Sequence, residues 1–259
     1  MNTIDEKKPV EIERHGSVLL IAINRPERRN AVNHEVSVAI AEALDLLDND
    51  NELRAGIITG RGGNFCSGMD LKAFLDGERP ELEGRGFAGV CEAPPAKPLI
   101  AAVEGFALAG GFELVLACDL VVASETAVFG LPEPARGLVA GSGGLLRLGK
   151  KIAPAIAMEY ALTAAQMPAK VAQQWGLVNR LASPGAALDD ALQLAAEIAG
   201  NAPLSVMMSK RIMLESRTWS DGEMWDMQRP LSESVINSQD AREGASAFAE
   251  KRKPNWSGC

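Results

Sequence analysis

The chain has 259 residues, 47% hydrophobic and 23% charged, with a formal net charge of −8. That length suits one large domain with an appended helical segment, and the acidic balance argues against a nucleic-acid surface. Four cysteines, Cys66, Cys91, Cys118 and Cys259, have no CxxC spacing, and His15 and His34 are the only histidines, so neither a disulfide frame nor a metal centre is expected.

Met1–Arg14 is polar and charged, and no later apolar run approaches the ~20 residues of a spanning helix. The expectation is a soluble, cytoplasmic protein with no membrane partner. Val18–Ile23 is β-branched and aliphatic between Gly16 and Asn24-Arg25-Pro26, which predicts a buried strand. Asn33 is placed to cap a helix with Val36, Ile40, Ala43, Leu44 and Leu47 on one face, ended by Asp48-Asn49-Asp50. Ile57–Gly60 reads as a second strand. A glycine-rich loop over 61–70 then leads into a helix opening at Leu71-Lys72-Ala73-Phe74, with Asp70 near its positive end.

Residues 76–98 are charged and punctuated by Pro94, Pro95 and Pro98, which predicts a mobile surface segment that shapes an entrance. Its neighbours Phe74 and Leu75, with Phe87 and Val90 inside it, suit either an apolar ligand tail or packing. Ile100–Glu113 is an apolar run that ends in glycines and restarts as a helix-like segment carrying a carboxylate. It reads as strand, tight turn and helix start. The first amides of a helix have no intrahelical acceptor, so such a turn can donate to an oxygen that becomes negative. Asp119–Ala123 is a strand, and Ala127–Glu133 leads into a turn with a second carboxylate. Gly137, Gly141, Gly143 and Gly144 loosen the chain before Leu145–Leu148.

From Ala155 helical periodicity dominates, interrupted near Leu177–Leu181, with helices predicted over 186–199, 203–216, 222–238 and 240–252. Val206, Met207, Ile212, Met213, Trp219 and Trp225 make this end more apolar than a solvated arm, which fits a subunit interface or core packing.

Phe65–Lys72, Ile100–Gly105, Gly110–Glu113 and Phe129–Glu133, in that order, resemble the crotonase family, in particular its enoyl-CoA hydratases, and the likeness runs from Val18 to the C-terminus. The resemblance implies an α/β fold, a crotonase-like spiral of ββα units over residues 1–200 with a C-terminal helical oligomerisation region over 201–259, assembling as a homotrimer or a dimer of trimers. It implies that the backbone amides of Met69 and Gly110 form an oxyanion hole for the thioester of an acyl-CoA. Methionine at 69, where many relatives carry alanine or glycine, leaves that donor intact, because the N–H donates. It further implies that Glu113 and Glu133 are catalytic, one activating water for attack at Cβ while an acid protonates Cα.

The likeness also implies that CoA meets Arg28 and Arg29, then Asp70, Leu71 and Lys72, and that Phe248 and Lys251 reach the adenine and phosphate of a neighbouring subunit. Glu27, where some relatives have lysine, points to a weakened or rearranged phosphate contact. CoA would be part of the substrate, with no separate cofactor or metal. The activity expected is reversible syn hydration of a trans-2-enoyl-CoA. Its competitors are enoyl-CoA isomerisation, a specialised dehydration such as that of carnitinyl-CoA, weakly catalytic acyl-CoA binding, and a Cys66 nucleophile.

Overall fold

The computed structural model describes residues 8–259, so Met1–Lys7 of the polar N-terminal segment lie outside the described residues. Two strands come first, β1 (Val10–His15) and β2 (Val18–Ile23), an antiparallel pair turned at Gly16 with φ +60°. β1 is unanticipated because, after Val10, its side chains face outward or are only half-buried. Its register against β2 defines it, and its own polar sequence does not. Helix α1 (His34–Asn49) starts where expected, the Asn33 side chain accepting from the Val36 N–H at 3.2 Å.

Three successive stretches then repeat one design. In the first, β3 (Ala55–Gly60) runs into a loop that touches the next repeat at Cys66 and ends in α2 (Leu71–Leu75). After the hairpin β4 (Glu81–Leu82) and β5 (Gly86–Phe87), the second repeat is β6 (Leu99–Val103), β7 (Phe106–Leu108) and α3 (Gly110–Ala117). The third is β8 (Leu120–Ser124), β9 (Val128–Gly130), a 3-10 turn over Glu133–Arg136 and α4 (Gly144–Lys151). Each first strand joins a six-stranded sheet of order β1-β2-β3-β6-β8, closed at its far edge by β11 (Arg180–Ala182), and parallel except for β1. Each second strand joins a smaller layer in which β7 lies parallel to β9, beyond which β10 (Met167–Pro168) is antiparallel.

The remaining helices are α5 (Pro154–Thr163), α6 (Ala169–Gln174), α7 (Ala187–Ala199), α8 (Pro203–Glu215), α9 (Met224–Ile236) and α10 (Gln239–Glu250). Helix α7 covers the outer face of the large sheet, packing Ala187, Ala191, Leu194 and Ala195 on Val18, Leu20, Ile57 and Ile100. Leu19, Ile21, Ile23 and Ile58 alternate to the inner face and meet α1 and α3. The Glu104 carboxylate accepts from the Gly185 and Ala187 N–H groups at 3.1 Å, which ties the β6–β7 turn to the start of α7. No helix among the described residues is long and apolar enough to cross a membrane.

Two expectations need correction. Ile100–Glu113 contains an extra strand, β7, between its turn and its helix. Three residues are too few to show a period, and pairing with β9 is what makes them a strand. Residues 76–98 are not a mobile surface segment: Phe87, Ala88, Val90 and Cys91 are buried in the main core, and Lys97 is buried with its ammonium donating to the Leu47 and Asp50 carbonyls at 2.8 and 2.7 Å. The charged residues of the segment mask the apolar ones that pack. Phe87→Ala is therefore expected to lower unfolding free energy by about 3–5 kcal/mol in denaturant titration, whereas a mobile segment would leave it unchanged.

Candidate active site

The loop over 65–69 and the start of α3 are joined by backbone hydrogen bonds. The Cys66 N–H donates to the Phe106 carbonyl at 2.9 Å, and the Leu108 N–H donates to the Cys66 carbonyl at 3.0 Å. This parallel bridge leaves no room for side chains. A Cβ on Gly68, whose φ is +98°, would fall 2.9 Å from the Ala109 Cβ and 3.1 Å from the Gly110 nitrogen. Met69 and Gly110 are thus brought together from two different repeats. Neither N–H donates to any acceptor among the described residues, although several amides around them are engaged: Asp70 with Val32, Ala109 with Gly130, and Phe112 and Glu113 both with Ala109. Ala109 holds φ +51° and ψ −130°, a region that ordinarily belongs to glycine.

Both amides border a cavity of about 340 Å³ that is also lined by Glu113 and Glu133. Glu113 lies in the first turn of α3, near its positive end, and is 3% exposed. Its Oε1 accepts from the Ser142 and Gly144 N–H groups at 2.7 and 2.9 Å. The glycines over 137–144 therefore do not simply loosen the chain; they form a clamp. A Cβ on Gly144 would sit 2.9 Å from the Glu113 Cγ. The sequence offers only small residues before a helix whose first amides need acceptors; which carboxylate they take is set by the fold.

Glu133 begins the 3-10 turn and is 7% exposed, with its Oε2 buried and without a hydrogen-bond partner. Burial raises both carboxyls above their ordinary value of 4.5. For Glu113 the two clamp amides and the Arg147 charge oppose the rise; for Glu133 the negative charge of Glu113 adds to it.

Phe74 and Phe87 line the cavity, as do Leu71, Glu81, Glu92 and Ser142, but Leu75 is 82% exposed and Val90 is sealed in the core. Asp70 caps α2 and forms an ion pair with Arg25 at 2.9 Å, so its carboxylate is engaged within the chain. Arg28, Arg29 and Lys72 are exposed, outside the cavity lining, and form no ion pair among the described residues. Phe248, 87% exposed, and Lys251, which ends α10 at φ +56°, do not line the cavity of their own chain. The Cys66 thiol is pushed up to about 12 by burial, which leaves it protonated and unsuited to nucleophilic attack near neutral pH.

A spiral of strand, strand and helix, with adjacent turns opening on one cavity, defines a crotonase-fold protein. The chain belongs to the enoyl-CoA hydratase/isomerase family, whose model matches residues 13–259. It is 55% identical to an enoyl-CoA hydratase from Mycobacterium marinum, with a TM-score of 0.96 over 98% of this chain and 100% of that one. A carnitinyl-CoA hydratase structure from Mycobacterium avium is 44% identical, with a TM-score of 0.78, again over 98% and 100% of the two chains. A carnitinyl-CoA dehydratase from Proteus mirabilis (strain HI4320) is 42% identical over 257 residues, 96% of this chain and 98% of the relative.

A carboxyl raised in the folded state binds more protons there than in the unfolded chain, so native stability falls as pH rises from the unfolded value to the folded one. Glu133→Gln removes that dependence. The variant is expected to melt above the parent at pH 7, and the difference should shrink as pH falls toward the ordinary value of 4.5; thermal melts across pH read this directly.

Proposed function

We propose that the chain catalyses reversible syn addition of water across the double bond of a trans-2-enoyl-CoA thioester. The observation that carries this reading is the meeting of two unengaged amides and two buried carboxylates at a single cavity. The thioester oxygen would lie between the Met69 and Gly110 N–H groups, which stabilise it as it takes up charge. One such donor is worth roughly 10²–10³ in rate in comparable sites. Glu113, held by two amides, would take a proton from water as the water oxygen bonds to Cβ. The carbon–carbon π pair moves into the bond between Cα and the thioester carbon as the carbonyl π pair moves onto the oxygen, and Glu133, whose protonated form is favoured by burial and by the Glu113 charge, would deliver a proton to Cα. The proton gained by Glu113 then returns to Glu133, and the pair is reset.

A second reading is favoured by the carnitinyl-CoA dehydratases among the relatives. Removal of water from a substituted acyl-CoA uses the same groups in reverse, so the two readings differ in the acyl group and not in the machinery. Loss of the conjugated enoyl-thioester absorbance on mixing with crotonyl-CoA or longer homologues supports hydration, and new conjugation from a 3-enoyl substrate would favour isomerisation instead. Glu113→Gln and Glu133→Gln are each expected to lower kcat by roughly 10²-fold or more with the fold retained. A variant of either residue that keeps wild-type kcat would overturn the assignment.

Arg28, Arg29 and Lys72 supply exposed positive charge for the CoA phosphates. Phe248 and Lys251 would serve the CoA of a neighbouring copy. Large exposed side chains on the last helices and beside them, Met213, Trp225, Ile236 and Phe248, support assembly as a trimer or a dimer of trimers. Light scattering should give a mass three or six times that of the chain. Lys251→Ala is expected to raise KM severalfold with kcat unchanged.

A further inference from the structure

Helix α4 begins directly behind the clamp that holds Glu113, and its fourth residue, Arg147, turns back onto that clamp. The Arg147 N–H donates to the Gly143 carbonyl at 3.0 Å, and its guanidinium folds over the same residue. A Cβ on Gly143, at φ +97°, would fall 2.0 Å from Arg147 Nη1. Gly143 thus yields its side-chain space to the guanidinium, one residue before the Gly144 N–H that donates to Glu113. The other arm, Nη2, donates to the Cys91 carbonyl. Cys91 closes a turn on Phe87, its N–H donating to the Phe87 carbonyl at 3.1 Å, and the Phe87 ring would meet a Cβ on Gly110 at 2.5 Å. One side chain therefore spans from the Glu113 clamp to the turn whose ring lies against Gly110.

An ion pair does not explain this placement, because Arg147 is half-buried and forms none among the described residues. The ionisable groups that act on Glu113 are Glu133 from the 3-10 turn, the Cys91 thiol from the 87–91 turn and Arg147 from α4, while Glu81 and Glu92 line the same cavity. Of these only Arg147 is a cation. The Cys91 thiol is raised by burial and by the Glu113 charge, so it is neutral and offers no counter-charge. Behind the guanidinium, Lys151, Arg217 and the Lys210–Asp119 pair line a second cavity with it, and Lys151 Nζ is turned to the Cys118 carbonyl at 2.7 Å. A guanidinium does not lose its proton near neutral pH, so the charge beside the clamp is permanent.

We infer that Arg147 is a positioning residue for the proposed reaction: fixed between Gly143 and the Cys91 carbonyl, it steadies the Glu113 clamp and supplies the positive charge that keeps Glu113 an anion able to take a proton from water. Burial opposes that anion, and a cation across a water-poor clamp offsets the opposition more strongly than it would in bulk water. Without the guanidinium charge the Glu113 carboxyl rises further, a larger fraction of the base is protonated at a given pH, and the acid limb of activity moves to higher pH. The inference rests on the proposed assignment of Glu113 as the base and goes further in naming the residue that sets its charge.

Two variants separate charge from structure. Arg147→Gln keeps a donor for the Cys91 carbonyl and loses the charge, whereas Arg147→Lys keeps the charge. Profiles of kcat/KM against pH with crotonyl-CoA report the groups of the free enzyme. On the acid limb, with each enzyme scaled to its own plateau, Arg147→Gln is expected to retain about one-tenth of the parent's value and Arg147→Lys about half or more. A purely structural Arg147 would lower the plateaus and leave the limb in place, and that result would overturn the inference, as would a lysine variant displaced as far as the glutamine one. Infrared titration of the Glu113 carboxylate, read as the difference from Glu113→Gln in the parent and in the Arg147→Gln background, follows the same displacement without turnover. Absence of hydration would overturn the proposed reaction, while an undisplaced infrared midpoint in Arg147→Gln would overturn the role of Arg147.

Discussion

The structure depends on the backbone bridge between Cys66 and Ala107. Two hydrogen bonds across it fix one repeat of the spiral against the next, and everything that faces the cavity follows from that register. Glycine is required at 68 because an added Cβ would press on Ala109 and the Gly110 nitrogen. Ala109 accepts a backbone conformation costly for any residue with a side chain, and its own N–H is held by Gly130. The Gly110 amide is thereby left with no acceptor of its own, beside that of Met69.

Two buried carboxylates are a cost that the rest of the fold must carry. A folded chain gains nothing by burying Glu133 without a donor, and desolvation weighs against the ionised form of both glutamates. The surrounding parallel sheet, covered on one side by α7 and on the other by α1 and α3, supplies enough apolar burial to carry that penalty. Under the proposed reaction, function and stability pull in opposite directions at Glu133. Glu113 is partly relieved by the Ser142 and Gly144 amides, and this asymmetry separates the two carboxyls into different proton-transfer roles in the proposed reaction.

Much of the fold was legible in local pattern. β2, α1 with its Asn33 cap, α2, and the last four helices, α7 to α10, follow from aliphatic runs, helical periodicity and capping residues, which act over a few neighbours and so leave their mark in the sequence. β1 and β7 did not, because strand pairing with distant residues creates them. The segment over 76–98 reads as surface for a related reason: Glu81, Glu83, Arg85 and Glu92 advertise a solvated face, while Phe87 and Val90 reach the core only through the three-dimensional path of the chain.

Of the candidate site, the sequence by itself determined the carriers: two glycine turns able to present free amides, two glutamates beside them, and a chain-long likeness to one family. Tertiary structure alone decided that the turns abut, that Ser142 and Gly144 clamp one carboxylate while the other has no donor, and that Glu81 and Glu92 join them at one cavity. The physical reason is range. Propensity and capping are set within a turn of chain, whereas the environment of a charge is set by whatever the fold brings within a few ångströms of it, and those groups come from repeats far apart in sequence.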